Sequence, residues 1–400
     1  MNKKISLGLA LAIVFLAIAL TVTITMTVAM HTYNNLIKDV SDRAGMYSSI
    51  SEVDDIVREN YMGELNENLL NSLTVEGYVN GIGDRYSYYM DAEAYSTYRQ
   101  TEKGEKRGIG IIAVYDNKNN NIFVSEVSKD SPADLQGISK GDVITEVDGE
   151  KVSASNYSKL IDNLDGDRLA EVKVTFTHDD TSKTISVSKG YSAQTVYYSV
   201  KNDNVGYIKI TAFYGTTAAQ LEKAIDNMTD KGVSSLIIDL RNNSDGNIEF
   251  AAECLDIIVP IATEGTGALA TAVDADGETI RTYTSDADSK AFTTYILVNM
   301  NTAGAAELFA CDLRDFGMAT LVGTTTAGNG TMQEIFELSN GGAVILTTAK
   351  ILPYKSGNYN GTGLTPDTVV DMTVEENERL EILSESEDTQ YQKAMELISK

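Results

Sequence analysis

The chain has no tryptophan, two cysteines, two histidines and four prolines in 400 residues. Cys254 and Cys311 are too few for a disulfide framework, and with only His31 and His178 beside them they leave no Cys/His zinc cluster. A Ser-His-Asp or Cys-His mechanism would have to recruit one of those two histidines. Positive charge is scarce as well. Lys and Arg number 32 against 58 Asp and Glu, a net charge of -26, so no basic face exists to neutralise nucleic-acid phosphates. With four prolines there is little room for a proline-rich linker, and no internal repeat or low-complexity block interrupts the chain. What is there is a hydrophobic content of 42%, enough to give each of two or three domains a core.

One segment lacks charge altogether. After a tip at residues 1–4 containing Lys3 and Lys4, the run 5–30 from Ile5 to Met30 is uncharged. At about 1.5 Å per helical residue it exceeds the roughly 30 Å hydrocarbon core of a bilayer. A cleavable signal peptide is the competing reading, but Thr27-Val28-Ala29-Met30 offers no small-residue cleavage site. The positive end favours the cytoplasm. The expectation is therefore one transmembrane anchor in the cell membrane, with the bulk of the chain extracytoplasmic and His31 at the membrane edge.

Residues 31–44 read as a polar tether. In 45–100, Val53, Ile56 and Val57, then Leu65, Leu69, Leu70 and Leu73, recur at helical spacing and predict an N-terminal helical segment. Over 101–190 the period changes to two, as in Asn121-Ile122-Phe123-Val124 and Glu171 to Phe176, with turn signals at Asp148-Gly149 and Asp165-Gly166. That is a β-rich domain. From 191 to 375 buried-strand runs such as Ser235 to Leu240, Tyr295 to Asn299 and Thr320 to Gly323 alternate with helical stretches at Glu249 to Ile258 and Ala305 to Phe316, an α/β core. Residues 376–400 read as a C-terminal helical tail, its acidic stretch a solvated face.

Within the β-rich segment, Gly108-Ile109-Gly110-Ile111 precedes a strand, and Ser131-Pro132-Ala133, Gly137-Ile138, Gly141-Asp142-Val143-Ile144 and Val147-Asp148-Gly149 follow. This set resembles a PDZ domain, in which a glycine loop holds a peptide's terminal carboxylate and a sheet edge pairs with its strand. Gly83-Asp84-Arg85-Tyr86-Ser87-Tyr88-Tyr89 is similar to a D-P-Y-S-x-Y stretch, with Arg85 in place of proline. Asp239-Leu240-Arg241-Asn242-Asn243 is similar to D-L-R-N-N, and Gly361-Thr362-Gly363-Leu364-Thr365-Pro366-Asp367 to G-x-G-I-x-P-D. Together they resemble the membrane-anchored C-terminal processing (tail-specific) peptidases of bacteria, over roughly residues 45–400. The resemblance implies a Clp-protease/crotonase-like α/β core carrying an inserted PDZ domain, and a Ser-Lys dyad needing no histidine, metal or cofactor.

The positions of that dyad do not match. The family's N-x-x-S-A-S-A-S-E reads Asn299 to Glu307 here, and Gly304 stands at the nucleophile. The lysine lies four residues before a glutamine, and with Gln333 as that glutamine the base position is Asn329. Glycine supplies no nucleophile and an asparagine amide no useful base. The N-P-G-G oxyanion loop has become Asn243-Ser244-Asp245-Gly246, which puts the Asp245 carboxylate beside the Gly246 donor and opposes oxyanion stabilisation.

The implied function is an inactive homologue, a pseudoprotease that binds polypeptide C-terminal tails through Gly108, Ile109, Gly110 and Ile111. It would serve as regulator or scaffold, as a homo-oligomer or with an active relative. Two alternatives stay open: an endopeptidase trimming tails through a displaced hydroxyl, with Thr302 and Thr331 the nearest, and an envelope scaffold with a blocked groove. Lys350 and Lys355 read as solvated, His178 as part of a surface turn, and the two cysteines as buried thiols.

Overall fold

The computed structural model describes residues 7–106, 108–165, 170–201, 204–259, 268–285 and 292–399. The chain divides into two compact units, Met1–Leu73 and Thr74–Lys400.

The first unit is dominated by the helix Leu7–Asn60. It runs through 31–44, where a tether was expected, because that stretch contains neither proline nor glycine to interrupt the backbone bonding. In its apolar part Phe15, Leu16, Ile18 and Leu20 are exposed, and the Thr21 and Thr27 hydroxyls donate to the carbonyls of Ala17 and Thr23 at 2.9 and 2.8 Å. Among the described residues no helix is long and apolar enough to cross a membrane. The expected tip and the first two residues of the expected anchor, 1–6, lie outside the described residues, as does the His31 side chain.

The second unit is built on a six-stranded sheet in the order Val196–Val200, Val205–Ile210, Ser235–Asp239, Thr293–Val298, Ala319–Gly323, Thr368–Val369. The first pair is antiparallel and the rest are parallel. Strand periodicity divides its side chains between two faces. Leu236, Ile238, Ile296, Val298 and Leu321 join the large core under the helices Thr217–Asp230, Ile248–Ile258 and Ala305–Asp315. Ile237, Leu297 and Val322 pack instead on Tyr391 and Ala394 of the C-terminal helix Thr389–Ile398. Each such buried aliphatic contributes about 1.5–3 kcal/mol.

This docking corrects the expectation of a solvated tail. The acidic stretch before the helix meets cations of the core: Lys201 pairs with Glu385 at 2.7 Å, Lys209 with Glu381, and Arg241 with Asp388 at 2.7 Å. A second correction concerns 45–100, which is not only helical. Tyr88–Met90 is a strand on Ala343–Leu352 of a five-stranded antiparallel sheet, and the buried Ser87 beside it accepts the Thr347 N–H at 3.0 Å.

The β-rich domain has its own sheet, Ile111–Asp116, Asn121–Val127, Val143–Val147, Glu171–His178, Thr181–Ser188, with Ile111–Asp116 at one edge. Ile122, Val124, Ile144, Val174 and Phe176 form its core with Leu160 and Leu164 of the helix Tyr157–Asp165. Asp148-Gly149, both at positive φ, makes the tight turn expected of that pair. Of the other turn signal, Asp165-Gly166, Gly166 lies outside the described residues.

Candidate active-site cleft

The cleft lies where the strand Thr293–Val298 passes into the helix Ala305–Asp315. Gly304 is the turning residue, with φ 58° and ψ -113°. This is a conformation that non-glycine residues adopt only under strain, as the nucleophile does at the strand-to-helix elbow of hydrolases. A Cβ placed on Gly304 would find open space except for Asn329 Nδ2 at 3.4 Å. The two positions assigned by motif register therefore face each other.

Glu307 holds this geometry. Its side chain is fully buried and reaches back to accept the Gly304 N–H at 3.0 Å, one half of a capping box. The same carboxyl accepts the N–H groups of Gly328 and Asn329, both at 2.7 Å, and the Thr326 hydroxyl. Thr326 in turn accepts the Leu364 N–H at 2.7 Å, and the Gly361 N–H donates to the Gly328 carbonyl at 2.9 Å. The Gly361 to Asp367 motif thus buttresses the loop that carries Asn329. Glu307 escaped the sequence reading as a site residue; its place three positions after the elbow glycine is the signal that marks it.

Asn329 belongs to a short hydrogen-bond chain. Gln333 Nε2 donates to Thr331 Oγ1 at 2.8 Å, and that hydroxyl donates to Asn329 Oδ1 at 2.7 Å. Gln333 is thereby tied to Asn329. The Thr302 hydroxyl is buried, accepts from the Asn299 N–H at 3.0 Å and donates to the Leu240 carbonyl at 2.9 Å, facing away from the cleft. Thr331 lines the cleft; Lys350 and Lys355 are exposed and do not.

The oxyanion loop is closed on itself. Asp245 Oδ1 accepts the Gly246 N–H at 2.9 Å, and Asp245 Oδ2 accepts the Tyr214 hydroxyl. Gly246 has φ 114°, and a Cβ there would come within 2.3 Å of the Phe213 carbonyl oxygen, so glycine is required. The donor expected to face an oxyanion is occupied by its neighbour's carboxylate.

Gly304, Asn329, Gln333, Asp245 and Gly246 all line one cleft of about 220 Å³, with Arg85, Tyr86, Ile248, Met332 and Ile345. Arg85 stands over the Tyr86 ring at 4.8 Å. Asp245 also lines a second cavity of about 470 Å³, whose other wall is Ile111, Ile112 and Ala113 of the edge strand with Ile161 and Leu164 of the facing helix. Of the four residues expected to hold a peptide, Ile111 lies in that groove. Gly108, Ile109 and Gly110 are buried, and the Ile109 N–H donates to the Leu164 carbonyl at 3.2 Å. The glycine loop secures the helix end, and its Ile109 N–H is not the open donor that a carboxylate nest requires.

Behind the cleft the D-L-R-N-N motif forms a buried ion network. Arg241 donates to Asp239 through Nε at 2.9 Å and through NH2 at 2.6 Å, and to Asp388 at 2.9 and 2.7 Å. Burial pushes the Asp239 carboxyl up, but the Arg241 charge and hydrogen bonds and the Lys209 charge bring it below its ordinary value. Asp312, buried with no cation among its recorded influences, is pushed by burial well above that value. Cys254 and Cys311 are buried free thiols, and burial raises Cys311 to about 12. His178 Nδ1 lies 2.7 Å from Asp142 beside the positive-φ pair Asp179 and Asp180, a surface turn. No group of metal-binding residues occurs among the described residues.

With this geometry in place the comparisons are specific. The family model described as Peptidase family S41 matches residues 204–370, and the PDZ domain model matches 97–176. The "Probable CtpA-like serine protease" of Staphylococcus haemolyticus is 30% identical over 317 residues, covering 78% of this chain and 62% of that protein. The "Carboxy-terminal processing protease CtpA" of Bacillus subtilis is 28% identical over 338 residues, covering 84% of this chain and 71% of that one. The chain spans 62% and 66% of the first two curated relatives it matches. A solved S41-type structure from Bacteroides fragilis, 18% identical, superposes with a TM-score of 0.58 over 81% of this chain and 90% of its own, which supports the fold. The chain carries a peptidase family S41 domain and a PDZ domain, and is a homologue of the CtpA-like C-terminal processing proteases.

Proposed function

We propose that this protein is a non-cleaving member of its family, held at the outer face of the cell membrane by the segment Ile5 to Met30, that binds polypeptide C-termini as a regulator or scaffold. One observation carries the reading. The elbow and its partner loop are in register, with Asn329 Nδ2 3.4 Å from the place of a Gly304 Cβ, yet neither residue has a nucleophile or base to offer. The Asp245 carboxylate on the Gly246 N–H adds a charge of the wrong sign where an oxyanion would form. Binding is supported by the edge position of Ile111–Asp116 and by the groove beside it, where Ile111, Ile112, Ala113, Ile161 and Leu164 lie among polar residues, a setting for strand addition; Asp245 lines both this groove and the cleft. The exposed apolar side chains of the first helix support the anchor.

The Thr331 hydroxyl favours a second reading, an endopeptidase with a displaced nucleophile, because it lines the cleft. Against it, that hydroxyl is bonded between Asn329 and Gln333. The test is to incubate the full chain in detergent with a mixed library of unstructured peptides and to read products by mass spectrometry, beside the double variant Gly304→Ser, Asn329→Lys. The expected outcome is binding without products from the unaltered chain. Products from it would overturn the proposal, and their loss in Thr331→Val would assign the nucleophile.

A further inference from the structure

We propose that Asn329 is a binding residue whose side-chain amide donates from Nδ2 to a main-chain carbonyl of a polypeptide lying in the cleft, at the point where Gly304 leaves no side chain. This rests on the reading that the chain holds polypeptides without cutting them.

The orientation of the amide follows from its bond to Thr331. Thr331 has one hydroxyl proton, and its oxygen already accepts from Gln333 Nε2 at 2.8 Å. The same hydroxyl donates to Asn329 Oδ1 at 2.7 Å, which places the amide oxygen on that side. Nδ2 is left directed at the elbow, 3.4 Å from the Gly304 Cβ position, and among the described residues no protein acceptor is recorded for it. The backbone behind it is held by the Glu307 carboxyl through the N–H groups of Gly328 and Asn329, so the donor is pre-positioned.

Two backbone donors beside it are occupied. The Gly304 N–H is bonded to Glu307 and the Gly246 N–H to Asp245. A carbonyl at the elbow lies within reach of the Asn329 amide. The absent side chain at Gly304 gives the main chain room to approach, and Ile248, Met332 and Ile345 offer an apolar wall for one of its side chains. No bond is made or broken; the position that in relatives of this class would take a proton here gives a hydrogen bond.

The experiment is a fluorescence-polarisation titration of the full chain in detergent with two Ser/Ala-rich peptides ending in valine, matched to the groove. One has about six residues, for the groove alone; the other has about fifteen, about 50 Å when extended, long enough to run on past Asp245 toward the cleft. The variants are Asn329→Asp, which keeps the shape and removes the donor, and Asn329→Ala, each checked for an unchanged circular dichroism spectrum. The expected result is that the long peptide binds the unaltered chain more tightly than the short one. Both variants should weaken the long peptide about threefold to tenfold and leave the short one unchanged. Equal affinity of variants and unaltered chain for the long peptide, or no gain from length, overturns this inference and leaves groove binding standing. Failure of the unaltered chain to bind either peptide overturns both.

Discussion

Two layers of the same cleft have different chemistry. The outer layer holds a glycine and an amide facing each other at Gly304 and Asn329, with the Asp245 carboxylate on the Gly246 N–H. The inner layer, Glu307, Thr326 and the Gly361 to Leu364 loop, is a saturated hydrogen-bond lattice. The comparison teaches that the elbow's shape does not depend on the residue that would react. Glu307 fixes it from beneath, through backbone groups that any side chain at 304 or 329 would leave in place.

The sharpest way to break the comparison is to remove the inner layer. Glu307→Ala leaves three backbone N–H groups and one hydroxyl without their acceptor in a buried site. A loss on the order of 3–5 kcal/mol is expected in urea unfolding. A loss below about 1 kcal/mol would mean that water replaces the carboxyl and that the lattice does not set the elbow.

The Arg241 network offers a second buried carboxylate set, this time matched by a cation. Arg241→Met uncouples Asp239 and Asp388 and should cost about 3–5 kcal/mol, with the C-terminal helix becoming susceptible to proteolysis. Because the folded Asp239 carboxyl is below its ordinary value, its contribution is present above the unfolded value near 3.9 and is lost as pH falls through the folded one. The unaltered chain should therefore lose stability more steeply than Asp239→Asn in that acid window. Parallel acid-unfolding curves would remove the assignment.

At the outer layer the expected effect is smaller. Gly304→Ser places a side chain at positive φ and should cost about 1–3 kcal/mol without unfolding the protein, since a Cβ there meets only the Asn329 amide. A complete failure to fold would show that the elbow tolerates glycine alone and would end any prospect of restoring the dyad.

Asp312 gives the smallest effect, and its sign is reversed. Its Oδ2 has no partner and burial raises its carboxyl above the ordinary value, so the folded state keeps a proton that the unfolded chain releases as pH rises above about 3.9. Asp312→Asn should therefore stabilise the protein at neutral pH, by about 1 kcal/mol or more, and the gain should shrink on acidification. A destabilising substitution would show that Asp312 is charged and satisfied in the folded protein.

Much of this was legible in the chain alone. The period of two in Glu171 to Phe176 and the βα alternation from Ser235 to Gly323 located the two domains, because burial of one face leaves its mark at every second or every third to fourth residue. The motif register placed Gly304 opposite Asn329 with Gln333 as its anchor, since glycines and turn residues have local backbone reasons that survive in sequence. The Ile109 loop was legible as a motif and not as a contact: its N–H is taken by Leu164, and no local pattern states which carbonyl will lie above a loop. The strand Tyr88–Met90 was missed for a related reason. Three residues carry too little periodicity, and their partner Ala343–Leu352 is remote in the chain.

The sequence by itself determined the S41-type fold and its PDZ domain, because their motifs depend on which side chains exist and on short-range spacing. Only the tertiary structure decided that Glu307 supports the elbow, that Asp245 closes on Gly246, that the acidic tail docks on Lys201, Lys209 and Arg241, and that Asn329 turns its amide toward the cleft. Those outcomes depend on which donor meets which acceptor after distant segments pack, and a hydrogen bond or ion pair has no address until the chain has folded around it.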